Sequence, residues 1–338
     1  MRTFQLFIRP LSAFGTSIKG DTLFGLFCWT IKNDPELIGY ALDTLIEEYA
    51  SHPYLIVSSA FPVMKTEGGT TYFFKKPSLP ISCFLEDKIS GCEKIQQRKR
   101  FKKQIWMPVD EKAPLHSFKG REYYDDEKAA DVLFSKASRN RSFFLKSQYL
   151  HLHNSINRLT NATGEEGFAP FAVNNTMYHP SSMLVIFIAI DTKISPEKVQ
   201  MAFERIGLLG FGRDASTGLG RFEVCGSIEE INLSALGAQS PNACYTLSPV
   251  VPEKKRYRGV YTSPFVRFGK HGDTFAKSLN PFKNPVLMAD EGAVAVPKNT
   301  EVFNKNWIGE AVKNLSKTEP CTIAQGYSLY IPVYLEGV

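Results

Sequence analysis

The sequence predicts an α+β fold, and two observations carry the prediction: a strand, helix, strand, strand, helix, strand order across residues 1 to about 230, and a strand-rich second half beyond a polar, small-residue stretch. At 338 residues the chain exceeds the usual size of one domain. Two are therefore expected, residues 1–232 and 240–338, joined through NLSALGAQSPNA (232–243). Hydrophobic content of 43% is enough for a real core.

Residues 3–9 alternate and are rich in Phe and Ile, which reads as a strand. After the loop PLSAFGTSIKG, Asp21 offers a side-chain oxygen to the first free amides of TLFGLFCWTIKN, an apolar segment that reads as a helix ending before Pro35. A second helix is expected in DPELIGYALDTLIEEYA, with Asp34 as cap, Pro35 in its first turn, and Leu37, Ile38, Ala41, Leu42, Leu45, Ile46 and Tyr49 at helical spacing. Strands follow in YLIVSSAFPV (54–63) and TTYFFKK (70–76). From 85 to 180 the periodicity weakens, and the stretch reads as an insertion with loops and a hairpin. MLVIFIAI (183–190) reads as a buried strand, and Ser195-Pro196 opens the helix PEKVQMAFERIGLL with Val199, Ala202, Phe203 and Ile206 on one face. RFEVCG completes the ferredoxin-like order. Beyond the linker, strands are expected at YTLSPVV, RGVYTSPFVRF, ADEGAVAVP and YSLYIPVYL, with one helix in WIGEAVKNLSK.

Forty Lys and Arg against 34 Asp and Glu give a net charge of +6, which does not by itself establish a nucleic-acid partner. Six cysteines (Cys28, Cys83, Cys92, Cys225, Cys244, Cys321) form no C-x-x-C pair and meet no histidine at ligand spacing. Neither a zinc site nor a disulfide framework is indicated. The start MRTFQLFIRP is too short for a signal peptide, and the longest apolar run falls far below membrane-spanning length. The expectation is a soluble cytoplasmic chain with reduced thiols, no cofactor and no metal.

The chemistry concentrates in GLLGFGRDASTGLGRFEV (207–224). A dinucleotide cradle needs its glycines between a strand and a following helix, and here the order is reversed. No G-x-x-x-x-G-K-[ST] occurs, which removes the P-loop. Two readings stay open. In one, Gly210, Gly212, Gly218 and Gly220 let backbone amides approach phosphates, with Arg213 and Arg221 as forks and Ser216 and Thr217 as hydroxyl donors. In the other, this is a plain glycine-rich turn with solvated arginines.

The stretch I-x-L-L-G-F-G-R-D-A-S-T-G-L-G-R-F after the second helix of that order resembles the glycine-rich signature of the RAMP superfamily of CRISPR proteins. PLSAFGTSIKGDTLFG, YFFKKPSLP, HNSINRLTNATGEEGFAPF and YSLYIPV are similar to the branch that supplies the fourth subunit of type III-A (Csm) interference complexes. Together these stretches touch most of the chain. The resemblance implies two ferredoxin-like (RRM-like) domains with a glycine-rich loop and a β-hairpin thumb at 151–180 inside the insertion. It implies a non-catalytic antiviral-defence subunit that caps the five-prime handle of CRISPR RNA. Its implied partners are the large polymerase/cyclase-like subunit and the backbone RAMP subunits, with target RNA met only indirectly. Asn157, Arg158 and Thr160 would sit at the base of the thumb, which would kink the guide, with Phe168 or Phe171 against a base.

SIKGDTLFG allows Lys19 and the amides of Gly20, Asp21 and Thr22 to take a phosphate, or Asp21 simply to cap. Lys94 to Lys103 hold six cations in ten positions, either an RNA groove or a solvated loop or a surface facing a partner. Arg256 and Arg258 in KKRYRG, and Arg267, Lys270 and His271 in RFGKHGD, extend the phosphate track or belong to ordinary hairpins. His151 and His153 share a strand face without a third ligand at metal spacing. The rival functions are a RAMP-type endoribonuclease acting on CRISPR repeat RNA through His52, His151 or His153, and an enzyme for small nucleotides.

Overall fold

A computed structural model describes residues 1–84, 92–134, 144–164 and 167–337. Parts of the expected insertion and thumb, residues 85–91, 135–143 and Glu165-Glu166, lie outside the described residues, as does the side chain of Lys94.

Strand β1 (Arg2–Pro10) leads through a loop into α1 (Gly20–Asn33). Helix α1 begins at Lys19 without a side-chain cap, so Asp21 is not its cap but a first-turn residue. The expected second helix is broken. Pro35–Leu37 forms a 3-10 turn, Gly39 sits at φ +79°, and only Leu42–Glu48 is α-helical (α2). The run 54–63 is likewise two strands, β2 (Leu55–Val57) and β3 (Phe61–Thr66). Between them the Ser58 hydroxyl accepts from the Phe187 amide at 2.8 Å, and the Ser59 amide is drawn to Leu247 O at 2.9 Å.

Next come β4 (Gly69–Lys75), α3 (Cys92–Lys103), β5 (Trp106–Asp110) and α4 (Asp126–Phe134). The basic run thus lies on a helix and not in a loop, and β5 extends the main sheet by pairing with β4. The hairpin β6 (Lys146–His153) and β7 (Phe171–Tyr178) forms its own two-stranded sheet. β8 (Met183–Ile190), α5 (Pro196–Leu209), β9 (Phe222–Val224) and β10 (Glu229–Glu230) follow. Ser195 caps α5, its hydroxyl accepting from the Lys198 amide, with Pro196 in the first turn where a missing N–H costs nothing.

In the main sheet the antiparallel order runs β9–β1–β8–β2; β10 also pairs with β1, and β3 also pairs with β8 and continues the sheet to β4 and β5. Strand β8 is central. Its Leu184 to Ile190 are all buried, which is why it reads as a continuous apolar run.

The second half comprises β11 (Ala243–Thr246), β12 (Tyr257–Tyr261), β13 (Pro264–Arg267), β14 (Val286–Ala289), β15 (Val294–Pro297), β16 (Trp307–Gly309) and β17 (Tyr327–Val333). Its sheet runs β12–β15–β11–β17–β16, so β17, β11, β15 and β12 repeat the order of the first sheet, while β13 and β14 pair apart. No α-helix occurs between Ala243 and Gly337 among the described residues. The helix expected in WIGEAVKNLSK is absent. Trp307–Gly309 is strand β16 on β17, and left-handed backbone at Gly309 (φ +97°) and Asn314 (φ +59°) prevents helical continuation.

The two sheets share one apolar core. Phe74 meets Tyr245 edge to face at 6.2 Å. Gln325 bridges both backbone groups of Val57, donating to its carbonyl at 2.7 Å and accepting from its amide at 2.8 Å. No described helix is long and apolar enough to cross a membrane.

Candidate nucleic-acid interface

Three segments converge where α5 ends. The loop after β1 is stitched to the glycine-rich loop: Ser12 Oγ accepts from the Arg221 amide at 2.9 Å, Thr16 Oγ1 accepts from the Arg213 amide at 3.0 Å, and the Gly220 amide reaches Ala13 O at 2.7 Å. The hairpin is fastened to both. Phe14 and Thr176 exchange backbone hydrogen bonds at 2.8 and 2.9 Å. Arg213 Nη2 donates to Asn174 O at 2.8 Å and to the buried Asn175 Oδ1 at 3.0 Å. His153 Nε2 lies 3.7 Å from Asp214 Oδ2, with its ring stacked on Phe171 at 5.3 Å.

The glycines do different work from that expected. A Cβ on Gly212 would stand 2.7 Å from Thr16 Cβ, and one on Gly220 would stand 2.1 Å from Phe211 O, both at positive φ. Gly210 is equally closed by Leu219 O at 2.5 Å. These three let the loop pack closely on its own chain. Only Gly218 faces open space, in an exposed arc with Ser216 and Thr217. Arg221 is exposed too, and its guanidinium has no partner among the described residues.

The first-helix N-terminus is occupied by the protein itself. Lys19, 13% exposed, is held by Asp290 at 2.5 Å and Glu291 at 2.6 Å. Gly20 is buried, where a Cβ would meet Val57 O at 2.1 Å, and its amide turns to Ser59 Oγ. The Thr22 amide bonds Lys19 O, and Asp21 is clasped by Arg267 at 2.5 and 2.8 Å. Lys19 and Asp21 therefore join the two halves of the chain, while the Gly20 and Thr22 amides are satisfied within the first half. Burial would raise the Asp290 carboxyl, but hydrogen bonding with Glu291 and the Lys19 and Lys75 ammoniums hold it well below the usual carboxylate range.

Asn157, Arg158 and Thr160 are at the tip of the hairpin and not its base. The paired strands end at His153 and Phe171, and Asn157 Oδ1 caps the Leu159 amide within a small turn closed on Ala162. Leu159 is 95% exposed there. Arg256, paired with Glu253 at 3.1 Å, lies just before edge strand β12, which carries the exposed Arg258. Arg256 lines a separate depression with Lys254, Lys255 and Lys298.

Beside the junction a groove of about 510 Å³ opens between α1 and residues 267–286, with Arg213 and Gly212 among its walls. Lys283 and Trp29 also line it, and sequence reading missed both. Burial pushes the Lys283 ammonium down from its ordinary range and, with Lys283 beside it, does the same to His271. Cys28, bonded to the Tyr54 hydroxyl at 3.3 Å, is pushed up to about 11 by burial and so stays a thiol. No cluster of three or more metal-ligating side chains occurs among the described residues.

No protein-family model and no curated protein matches this chain. Solved structures do. A chain of the crystal structure of the Csm3-Csm4 subcomplex in the type III-A CRISPR-Cas interference complex is similar over 97% of this chain and 99% of that one, with 14% identity and a TM-score of 0.57. Chains from the Csm1-Csm4 cassette in complex with cA4 and with pppApA match over 99% of this chain and 100% of theirs, at 15% identity and TM-scores of 0.55 and 0.54. The likeness is one of fold, and Csm4 is the component common to the three.

Proposed function

We propose that this chain is a Csm4-like RAMP subunit of a type III-A CRISPR effector complex, a non-catalytic cytoplasmic protein that caps the five-prime handle of CRISPR RNA. In this reading it docks against the large polymerase/cyclase-like subunit and a backbone RAMP subunit. The repeated strand order of the two sheets supports two ferredoxin-like domains. One observation carries the function: the hairpin is bonded through Arg213 to the glycine-rich loop, and through Thr176 and Phe14 to the loop after β1. Ser216, Thr217, Gly218 and Arg221 and the hairpin tip are thereby exposed parts of one braced assembly. Amide, hydroxyl and guanidinium groups fixed in that way position a phosphate chain without reading its bases.

Arg221 gives the clean test, because Arg213 also anchors the hairpin and its loss would mix two effects. Arg221→Ala is expected to weaken binding of handle RNA irrespective of sequence and to reduce the salt slope by about 1. Equal affinity and slope in a filter-binding titration would remove the loop from the interface.

The endoribonuclease reading keeps one observation in its favour, the placement of His151 and His153 with ring centres 4.6 Å apart beside Asp214. Site-specific cuts in labelled repeat RNA, lost in His153→Ala, would select it.

A further inference from the structure

The groove between α1 and residues 267–286 carries features that folding does not require. Gly25 stands in the middle of α1 on its floor, where a Cβ would meet nothing within 4 Å. A helix-interior glycine is less favourable than alanine, and here no neighbouring atom demands it. Gly20, five residues earlier, is closed by Val57 O. What Gly25 provides is room.

Charge tells the same story. Four basic side chains, Arg213, Arg267, Lys270 and Lys283, line the groove against the lone carboxylate of Asp21, which Arg267 already holds. Lys270 and Lys283 have no carboxylate partner among the described residues. Burial makes the Lys283 ammonium costly to keep, and an anion lodged in the groove would offset that cost. Trp29 lines the same space, and Phe268 at its rim is 76% exposed. The volume of about 510 Å³ falls within the range of small-ligand sites.

We propose that this groove is a binding site for one nucleotide of a single-stranded RNA, with its phosphate on Lys270 and Lys283 and its base over Gly25 beside Trp29. Aromatic and basic groups in one recess are the chemistry that holds an unpaired nucleotide. The site deepens the RNA-binding reading and rests on it.

The test compares the full-length protein with Gly25→Leu and Gly25→Ala, using a labelled short oligoribonucleotide and, separately, adenosine monophosphate. Both substitutions favour the helix, so circular dichroism and the thermal midpoint should stay native. Gly25→Leu is expected to weaken the oligoribonucleotide ten-fold or more, Gly25→Ala far less, and Lys283→Met to follow the leucine variant. Oligoribonucleotide affinity unchanged in folded Gly25→Leu would overturn the proposal. Adenosine monophosphate binding that Gly25→Leu abolishes, with RNA affinity intact, would overturn the RNA source and assign the groove to free nucleotides. If Arg221→Ala weakens RNA binding and Gly25→Leu does not, only the groove fails. No RNA binding by the native chain would instead defeat the reading beneath it.

Discussion

At the residue scale, the most consequential side chains are those that sequence reading aimed at RNA and the structure turns inward. Lys19 and Lys75 meet Asp290 and Glu291 in a largely enclosed four-charge network joining the two halves. Asp290 is depressed in the folded state, so its contribution is present above the unfolded value of about 4 and lost as pH falls through the folded one. Removing one partner of such a network leaves buried charge uncompensated, and with partial exposure the cost is about 2 to 3 kcal/mol. Asp290→Asn should show that loss in denaturant unfolding at neutral pH, with the gap from the native protein narrowing below pH about 4. A gap independent of pH would detach Asp290 from the acid response.

At the element scale, the hairpin is built to stand away from the core. Leu150, Leu152, Ile156 and Leu159 are between 60% and 95% exposed, whereas Asn175 and Thr176 at its root bond to the glycine-rich loop and to Phe14. Replacing residues 154–170 with Asn-Gly, a turn that two-residue hairpins favour, should leave the thermal midpoint unchanged and reduce RNA affinity. The proposed phosphate contact of Arg158 would go with it, lowering the salt slope by about 1. A fallen midpoint with unchanged affinity would make the hairpin structural. This division was partly legible beforehand. The polar, glycine-bearing run between two strands pointed to a hairpin, but the register that puts Asn157, Arg158 and Thr160 at its tip depends on pairing with β7, which no local pattern fixes.

At the scale of the whole molecule, sequence reading succeeded where periodicity reports burial and failed where distant segments decide. β8 and α5 were evident because one is buried from Leu184 to its end and the other shows a single apolar face behind a serine cap. The helix expected near Trp307 fell to pairing with β17, and the break after Leu37 fell to Gly39. Lys19 is a plausible phosphate ligand in sequence, since its carboxylate partners lie more than 270 residues away. The groove went unseen for the same reason, because Gly25, Lys283 and Trp29 converge only through the packing of the second half against α1.

The central claim is that an RNA strand lies on the junction of glycine-rich loop and hairpin. Ultraviolet cross-linking of the chain to five-prime-handle RNA, followed by mass spectrometry of the adducts, tests it most directly. The account predicts adducts on peptides spanning 213–221 and 154–170. Adducts confined to β12 and the neighbouring Lys298, with the junction clean, would contradict it.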